Sequence, residues 1–154
     1  VEETEEEIAS TFENTSYVDL SHDHPHRILV VDDDDIHRQI MCVQLGKFGY
    51  EADEAADGDE AIAAVINTEY DLIFMDLRMP NMSGIESSLW IRERFNDNPG
   101  TAGRIIALTG DATVEARKKA IAAGMDGFLT KPVNPDKIRS VLQFTDKEEN
   151  AAAV

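Results

Sequence analysis

Short apolar runs alternate with longer segments of helical period along most of this chain. Two runs, at residues 28–31 and 72–75, are apolar at every position, which is typical of parallel strands covered on both faces. A third such run covers 105–108, and weaker strand signals lie at 51–55 and 128–129. The pattern therefore predicts five strands.

A helical segment follows each predicted strand. The helices are expected at residues 35–48, after the Asp57-Gly58 turn, after Gly84, at 113–123 and at 135–144, with a loop over 95–103. Their apolar positions include Ile36, Ile40, Val43, Leu45 and Phe48 in the first helix, Ala61, Ile62, Val65 and Ile66 in the second, and Ile85, Leu89, Trp90 and Ile91 in the third. Five strand–helix repeats with short, right-handed connections predict an α/β fold, a doubly wound parallel sheet with helices on both faces.

Acidic residues dominate the composition and concentrate at the N-terminus. The 154 residues carry a formal net charge of −17, and residues 1–26 hold eight acidic side chains but no Lys or Arg. Because such a segment resists burial, we predict an acidic disordered tail or linker over 1–26, a single domain over 27–144 and a C-terminal tail over 145–154. His22, His24 and His26 alternate at the end of the acidic run, and a polar linker explains them more simply than a metal site.

The composition also excludes several functional classes. The chain has only 14 Lys and Arg against 31 Asp and Glu, so it is not expected to bind nucleic acid or an anionic membrane. No apolar stretch reaches about 18 residues and the N-terminus is acidic, which predicts neither a membrane span nor a signal peptide. Because the single cysteine, Cys42, cannot form an internal disulfide, a reducing, cytoplasmic location fits best.

Side chains that can bind a metal ion through oxygen, or donate hydrogen bonds, stand where the predicted strands end. Asp32 and Asp33 follow the first strand, Asp76 the third, Thr109 the fourth and Lys131 the fifth. All five belong at the carboxyl edge of the sheet, where ligands bind in such folds. Three carboxylates repel one another unless a cation relieves them, and Mg²⁺ prefers this donor set beside phosphate. The edge therefore predicts phosphoryl transfer to a carboxylate, with the lysine and threonine pairing with phosphoryl oxygens.

Five short motifs occur along the chain in a characteristic order and spacing. The motifs are Ile-Leu-Val-Val-Asp-Asp at 28–33, Met-Asp-Leu-Arg-Met-Pro at 75–80, Ser-Gly at 83–84, Ala-Leu-Thr-Gly at 107–110 and Leu-Thr-Lys-Pro-Val at 129–133. With them, the sequence resembles the receiver domain of two-component signalling over nearly all of 27–144, most of all the receivers of hybrid histidine kinases. The resemblance implies a flavodoxin-like sheet with strand order 2-1-3-4-5, and it favours a domain excised from a longer kinase over a stand-alone protein.

The same resemblance assigns roles at the acidic edge. It implies that Asp76 is the phosphorylated residue and that Asp33, Asp76 and the backbone carbonyl of Arg78 bind Mg²⁺. Asp32 would assist through a metal-bound water. The domain would catalyse its own phosphorylation and dephosphorylation, while the donor kinase activity lies outside residues 1–154.

Three further residues complete the implied site. Thr109 would bind a phosphoryl oxygen in the active state, and Lys131, joined by a cis bond to Pro132, would pair with the phosphoryl group. Phe128 stands at the family's aromatic switch position, and it would move with Thr109. It lacks a tyrosine hydroxyl, so the switch would depend on packing alone.

Arg78 and Asp111 lie two residues beyond Asp76 and Thr109. They are expected to face each other across the site, and we hypothesise that a salt bridge between them slows hydrolysis of the phosphoryl group.

The acidic pair at 32–33 is extended to a run of four aspartates at 32–35. Asp35, the last of the run, is interpreted as a helix cap.

The resemblance names a histidine kinase or histidine phosphotransfer protein as the phosphodonor and leaves the downstream partner open. Two alternatives remain: a receiver fold that binds a partner without being phosphorylated, and a phosphatase of the haloacid dehalogenase type. The phosphatase needs Thr or Val where Ile36 stands and an acidic motif after Lys131, where only isolated acids such as Asp136 occur.

Overall fold

The computed structural model describes residues 17–94 and 103–143. Five parallel strands form one sheet in the order β2-β1-β3-β4-β5, which confirms the predicted topology. The strands are β1 Ile28–Val31, β2 Asp53–Ala55, β3 Leu72–Asp76, β4 Arg104–Thr109 and β5 Gly127–Thr130.

Five helices follow the strands in turn and cover both faces of the sheet. They are α1 Asp35–Lys47, α2 Gly58–Asn67, α3 Gly84–Arg94, α4 Val114–Ala122 and α5 Pro135–Gln143. Successive side chains of a strand point to opposite faces, so β1 contributes Leu29 and Val31 to one core and Ile28 and Val30 to the other. The first core also contains buried residues of α2, α3 and α4, and the second contains those of α1 and α5.

Strand register aligns the chemically active residues at one edge. Val31 of β1 pairs with Met75 of β3, so the residues that follow them, Asp32 and Asp76, lie level with each other. Thr109 ends β4 opposite Thr130 of β5, which brings the following lysine to the same edge. The predicted grouping at the carboxyl ends of the strands is thereby confirmed.

Several apolar helix positions predicted to face the core are instead exposed. Ile36 and Val43 of α1 are 55% and 56% exposed, and Ile66 and Leu89 are also exposed. In α1 the buried positions are Met41, Gln44 and Leu45. A helix of this length buries only a stripe, and the contacts with the sheet, not hydrophobicity alone, set the stripe's position.

The helix cap was also predicted at the wrong aspartate. Asp34 is the N-cap of α1, and its carboxylate accepts hydrogen bonds from the backbone N–H groups of Ile36 and His37. Asp35 is already helical, and its carboxylate pairs with Arg38. The cap satisfies amide donors that have no partner within the first turn.

Residues 17–26, which we call the N-terminal strap, differ from the solvated tail predicted for them. Leu20 is only 7% exposed, and its N–H donates to the carbonyl of Phe48 at 2.8 Å. The Tyr17 ring packs on that of Phe48 with 5.0 Å between centroids. The strap therefore belongs to the folded unit, because a few apolar side chains outweigh the acidic composition around them.

Two of the strap's three histidines take part in hydrogen bonds to the rest of the folded unit. His26 Nε2 lies 2.7 Å from the carbonyl oxygen of Leu142, and the Tyr50 hydroxyl donates to the carbonyl of His24. The predictions for 1–16, for most of the 95–103 loop, for Phe144 and for the C-terminal tail fall outside the described residues. In the described part of the chain, no helix is both long and apolar enough to cross a membrane.

Candidate active site

Three carboxylates converge at the carboxyl edge of the sheet. Asp32 and Asp33 follow β1, Asp76 ends β3, and each offers an oxygen within 4.8 Å of the other two. Asp32 and Asp76 are buried, whereas Asp33 is exposed. The cluster thus has a closed interior and one carboxylate open to solvent.

Lys131 supplies the positive charge that faces this cluster. Its Nζ lies 2.8 Å from Asp32 Oδ2 and 3.3 Å from Asp76 Oδ2. The backbone N–H of Lys131 donates to the Thr109 carbonyl at 2.7 Å, and the peptide bond to Pro132 is cis, as the resemblance implies. The lysine is therefore fixed at both its backbone and its ammonium group.

The electrostatics of the site follow from burial and from this arrangement of charges. Burial raises the pKa of Asp76 to about 6, Lys131 opposes that change, and the neighbouring Asp32 adds to it. Burial by itself would lower the pKa of Lys131, but the hydrogen bond to Asp32 and the charge of Asp76 outweigh it, and that pKa is raised. The ammonium stays charged, while Asp76 is held in a site that disfavours its anion.

The donor set fits a divalent cation of the Mg²⁺ type. Three carboxylates against one ammonium leave an excess of negative charge, and oxygen ligands are what Mg²⁺ prefers. Asp32 accepts from the Asp34 N–H at 2.9 Å with Oδ1 and from Lys131 with Oδ2. Both Asp32 oxygens are thus contacted, and so are those of Asp76, Oδ1 by the Arg78 N–H at 3.2 Å and Oδ2 by Lys131 at 3.3 Å.

Thr109 and Phe128 occupy neighbouring strands beside the cluster. The Thr109 side chain is buried, and its Oγ1 accepts from the Asp111 N–H at 3.0 Å, so its hydroxyl proton can still be donated. Phe128 is half-buried against the core, with the Arg117 guanidinium 5.1 Å from its ring centroid. A Phe128 that moved inward would give up this cation–π contact.

Arg78 and Asp111 approach each other as the sequence predicts. Arg78 Nη2 lies 3.8 Å from Asp111 Oδ2, and the Arg78 side chain is 82% exposed. Hydrogen bonds to Thr113, with a smaller contribution from Arg78, lower the pKa of Asp111. This is a loose surface pair, which adds little to folding stability.

Sequence reasoning missed Arg38 and His37 and did not explain why Gly84 is a glycine. Arg38 donates to the carbonyl oxygen of Asp32 at 2.7 Å and so fixes the end of β1. Gly84 passes so close to β3 that a Cβ would lie 2.1 Å from the carbonyl oxygen of Asp76, which explains the glycine of the Ser-Gly motif. His37 lies beside Lys131, a contact that no spacing in the sequence indicates.

The site's geometry agrees with the comparison to known families. Residues 28–143 match the model of the response regulator receiver domain. The chain belongs to this family. Its relatives include hybrid signal transduction histidine kinase L of Dictyostelium discoideum, 35% identical over 127 residues, and sensor histidine kinase RcsC of Escherichia coli, 36% identical over 115 residues. The aligned parts cover 80% and 75% of this chain but 7% and 12% of those kinases.

Two solved receiver domains are similar to this one in both sequence and structure. The receiver of the histidine kinase CKI1 from Arabidopsis thaliana, solved with Mg²⁺ and BeF₃⁻, is 34% identical with a TM-score of 0.69 and covers 80% of this chain and 93% of its own. The receiver of Ssk1 from Saccharomyces cerevisiae, solved with the histidine phosphotransfer protein Ypd1, has a TM-score of 0.70 at 31% identity. That match covers 75% of this receiver and 85% of the other chain.

Proposed function

We propose that this receiver accepts a phosphoryl group from a phosphohistidine onto Asp76, with Mg²⁺ bound, and changes conformation as a result. The observation that carries the proposal is the placement of one buried carboxylate among two further aspartates and a lysine whose ammonium is 3.3 Å away. Asp76 is the only one of the three carboxylates that lies within a strand.

Each residue of the site has a definite task in the proposed transfer. An Asp76 carboxylate oxygen attacks phosphorus, the bond from phosphorus to the donor imidazole nitrogen breaks, and that imidazole keeps the bonding electrons and takes a proton. Lys131 is close enough to pair with a phosphoryl oxygen while it still contacts Asp32. Asp76 must be ionised to attack. Although burial raises its pKa, the value of about 6 is still below neutral pH, so most of the carboxylate is ionised there.

Asp33, Asp76 and the Arg78 carbonyl are the residues proposed to hold Mg²⁺, with Asp32 assisting through water. When bound, Mg²⁺ would neutralise carboxylate charge and stabilise the charge that develops on the phosphoryl oxygens. The carboxylate cluster of this chain and the Mg²⁺ in the CKI1 receiver support this assignment.

The proposed switch starts at Thr109 and ends at Phe128. A phosphoryl group on Asp76 adds about two negative charges and acceptor oxygens, which attract the Thr109 hydroxyl. Rotation of that hydroxyl would release its contact with the Asp111 N–H, and Phe128 would move into the vacated space away from Arg117. The surface of β4, α4 and β5 would then differ between the two states.

The proposed phosphodonor is a histidine kinase or a histidine phosphotransfer protein. The complex of the Ssk1 receiver with Ypd1 supports the second class of donor. The hybrid kinases among the relatives support the first. The family match over 28–143 weighs against the haloacid dehalogenase alternative, and a receiver that binds without phosphorylation remains the rival to test.

The decisive experiment is phosphorylation of residues 1–154 with acetyl phosphate and Mg²⁺, followed by intact mass and peptide mapping. We expect a mass increase of one phosphoryl group, located on Asp76 and removed by hydroxylamine, which cleaves acyl phosphates. EDTA should abolish it. The matched control is Asp59→Asn, which changes an exposed aspartate in the first turn of α2 and should leave phosphorylation unchanged.

Two results would overturn the proposal. An Asp76→Asn variant that gains a phosphoryl group as readily as the parent would exclude Asp76 as the acceptor. A folded parent protein that gains none, in Mg²⁺ and with either acetyl phosphate or a phosphorylated histidine donor, would favour the binding-only alternative. Steady turnover of a phosphomonoester would instead support the phosphatase.

A further inference from the structure

His37 lies at the rim of the site on α1, whereas the three carboxylates and Lys131 stand at the ends of strands. It is in the first turn of α1, and its backbone N–H donates to the Asp34 cap at 3.1 Å. Its ring nitrogen Nδ1 lies 3.4 Å from Lys131 Nζ, and half of the side chain is exposed. The helix cap therefore holds the imidazole beside the ammonium.

The contact gives Lys131 one acceptor for each of its donors. An ammonium group has three N–H bonds and no acceptor site. Asp32 Oδ2 lies 2.8 Å from Nζ, Asp76 Oδ2 lies 3.3 Å away, and His37 Nδ1 is the third neighbour at 3.4 Å. Two acceptors stand at the ends of β1 and β3, and the third comes from α1.

A neutral imidazole is required for this arrangement, because Nδ1 accepts a hydrogen bond only when the proton is on Nε2. Asp34 Oδ2 lies 3.9 Å from the same nitrogen, and a hydrogen bond to Asp34 would instead require a proton on Nδ1. The contact with Lys131 is the shorter of the two, and it is the one that needs the proton on Nε2 and a free Nδ1 lone pair.

We propose that His37 is a positioning residue for Lys131, whose ammonium it holds between Asp32 and Asp76. The inference rests on the proposed function, in which Lys131 pairs with the incoming phosphoryl group. Without the third acceptor, the ammonium is drawn towards Asp32, its nearest carboxylate, and away from the Asp76 oxygen that would react. His37 would thus raise the rate of phosphoryl transfer without touching the phosphoryl group.

The tautomer of His37 tests the contact without any phosphorylation. Long-range ¹H–¹⁵N NMR spectra of the uniformly labelled chain, recorded in EDTA at neutral pH, distinguish a protonated Nδ1 from a free one. We expect the Nε2–H form, and we expect Lys131→Met to shift the Nδ1 resonance because its hydrogen-bond donor is lost. A proton on Nδ1, or an Nδ1 resonance that ignores Lys131→Met, would overturn the proposal.

Two substitutions of His37 test its effect on the reaction. His37→Asn places an amide oxygen where Nδ1 stands, whereas His37→Leu fills the space but cannot accept. With acetyl phosphate and Mg²⁺, we expect His37→Leu to slow phosphorylation about three- to tenfold, the value of one modest hydrogen bond, and His37→Asn to recover most of the rate. Urea denaturation of both variants checks that α1 is intact.

The outcomes separate this inference from the proposed function. Equal rates for His37→Leu and the parent, or an asparagine variant as slow as the leucine variant, would refute a positioning role. If the parent accepts no phosphoryl group at all, the proposed function fails, and the NMR spectra still decide whether His37 accepts from Lys131.

Discussion

Asp76→Asn should stabilise the metal-free protein, because the native fold opposes the charge on this carboxylate. Asp76 is buried beside Asp32, and Lys131 offsets only part of the cost of burying the Asp76 anion. The pKa of Asp76 therefore rises from 3.8 to about 6. A carboxyl group with a higher pKa in the folded state binds its proton more tightly when folded. Its anion therefore destabilises the fold at neutral pH.

The size of this effect follows from the two pKa values. At about pH 7.5 the interval from 3.8 to about 6 corresponds to about 3 kcal/mol, and we expect Asp76→Asn to gain about 1 to 3 kcal/mol because the amide is also partly desolvated. The destabilisation is absent well below pH 3.8, grows up to about pH 6 and is complete above it. At about pH 4.5 the gain should therefore fall by roughly two-thirds.

Urea denaturation in EDTA, followed by circular dichroism, measures the gain at both pH values. Asp59→Asn is the matched control, since it removes one negative charge from an exposed position and should change stability little. Adding Mg²⁺ should raise the unfolding free energy of the parent, and it should raise that of Asp76→Asn by a smaller amount. An Asp76→Asn variant no more stable than the parent at neutral pH, or a gain that persists at low pH, would refute the electrostatic reasoning.

Three further predictions follow from other contacts. Replacing both Arg78 and Asp111 by Ala should speed loss of the phosphoryl group a fewfold if their 3.8 Å pair hinders attacking water. A dephosphorylation time course measures this rate, and an unchanged rate would disprove the idea. Leu20→Ala should cost about 2 kcal/mol of unfolding free energy in urea, because the strap buries this side chain. Gly84→Ala should cost at least as much and should also slow phosphorylation, since its Cβ would lie 2.1 Å from a β3 carbonyl oxygen.

The two stability predictions have controls within the same chain. Val18 is exposed on the strap, so Val18→Ala should leave the unfolding midpoint nearly unchanged, and a cost equal to that of Leu20→Ala would show that the strap does not pack as described. Gly46 has open space around its Cβ position in α1, and Gly46→Ala should stabilise the helix slightly. A Gly84→Ala variant as stable and as active as the parent would contradict the close approach.

The location of the acidic edge could be predicted from the residues themselves, whereas the strand order 2-1-3-4-5 was implied by the resemblance to receiver domains. Fully apolar runs such as Ile28–Val31 mark buried parallel strands locally, and the carboxyl ends of parallel strands must meet at one edge of the sheet. The residue that follows each run therefore already identified Asp32, Asp76 and Lys131 as neighbours. The close agreement reflects a rule of topology that needs no atomic detail.

Other features depended on how distant segments meet. The period of α1 predicts an apolar stripe but not the rotation that leaves Ile36 and Val43 in solvent, because the sheet and α5 determine that rotation. The acidic composition of residues 1–26 predicted a disordered tail and gave no sign that the strap is folded. The strap packs because Leu20 contacts Phe48, nearly thirty residues further along the chain.

The sequence by itself determined which residue types reach the magnesium-compatible edge, because strand ends and side-chain chemistry are local properties. Only the tertiary structure decided how these residues are arranged. It determined which Asp32 oxygen faces Lys131, how strongly Asp76 is desolvated, and that His37 is the third acceptor beside the ammonium. Coulomb interactions and hydrogen bonds vary steeply over a few ångströms, so chemistry of this kind is fixed only when the helices have packed on the sheet.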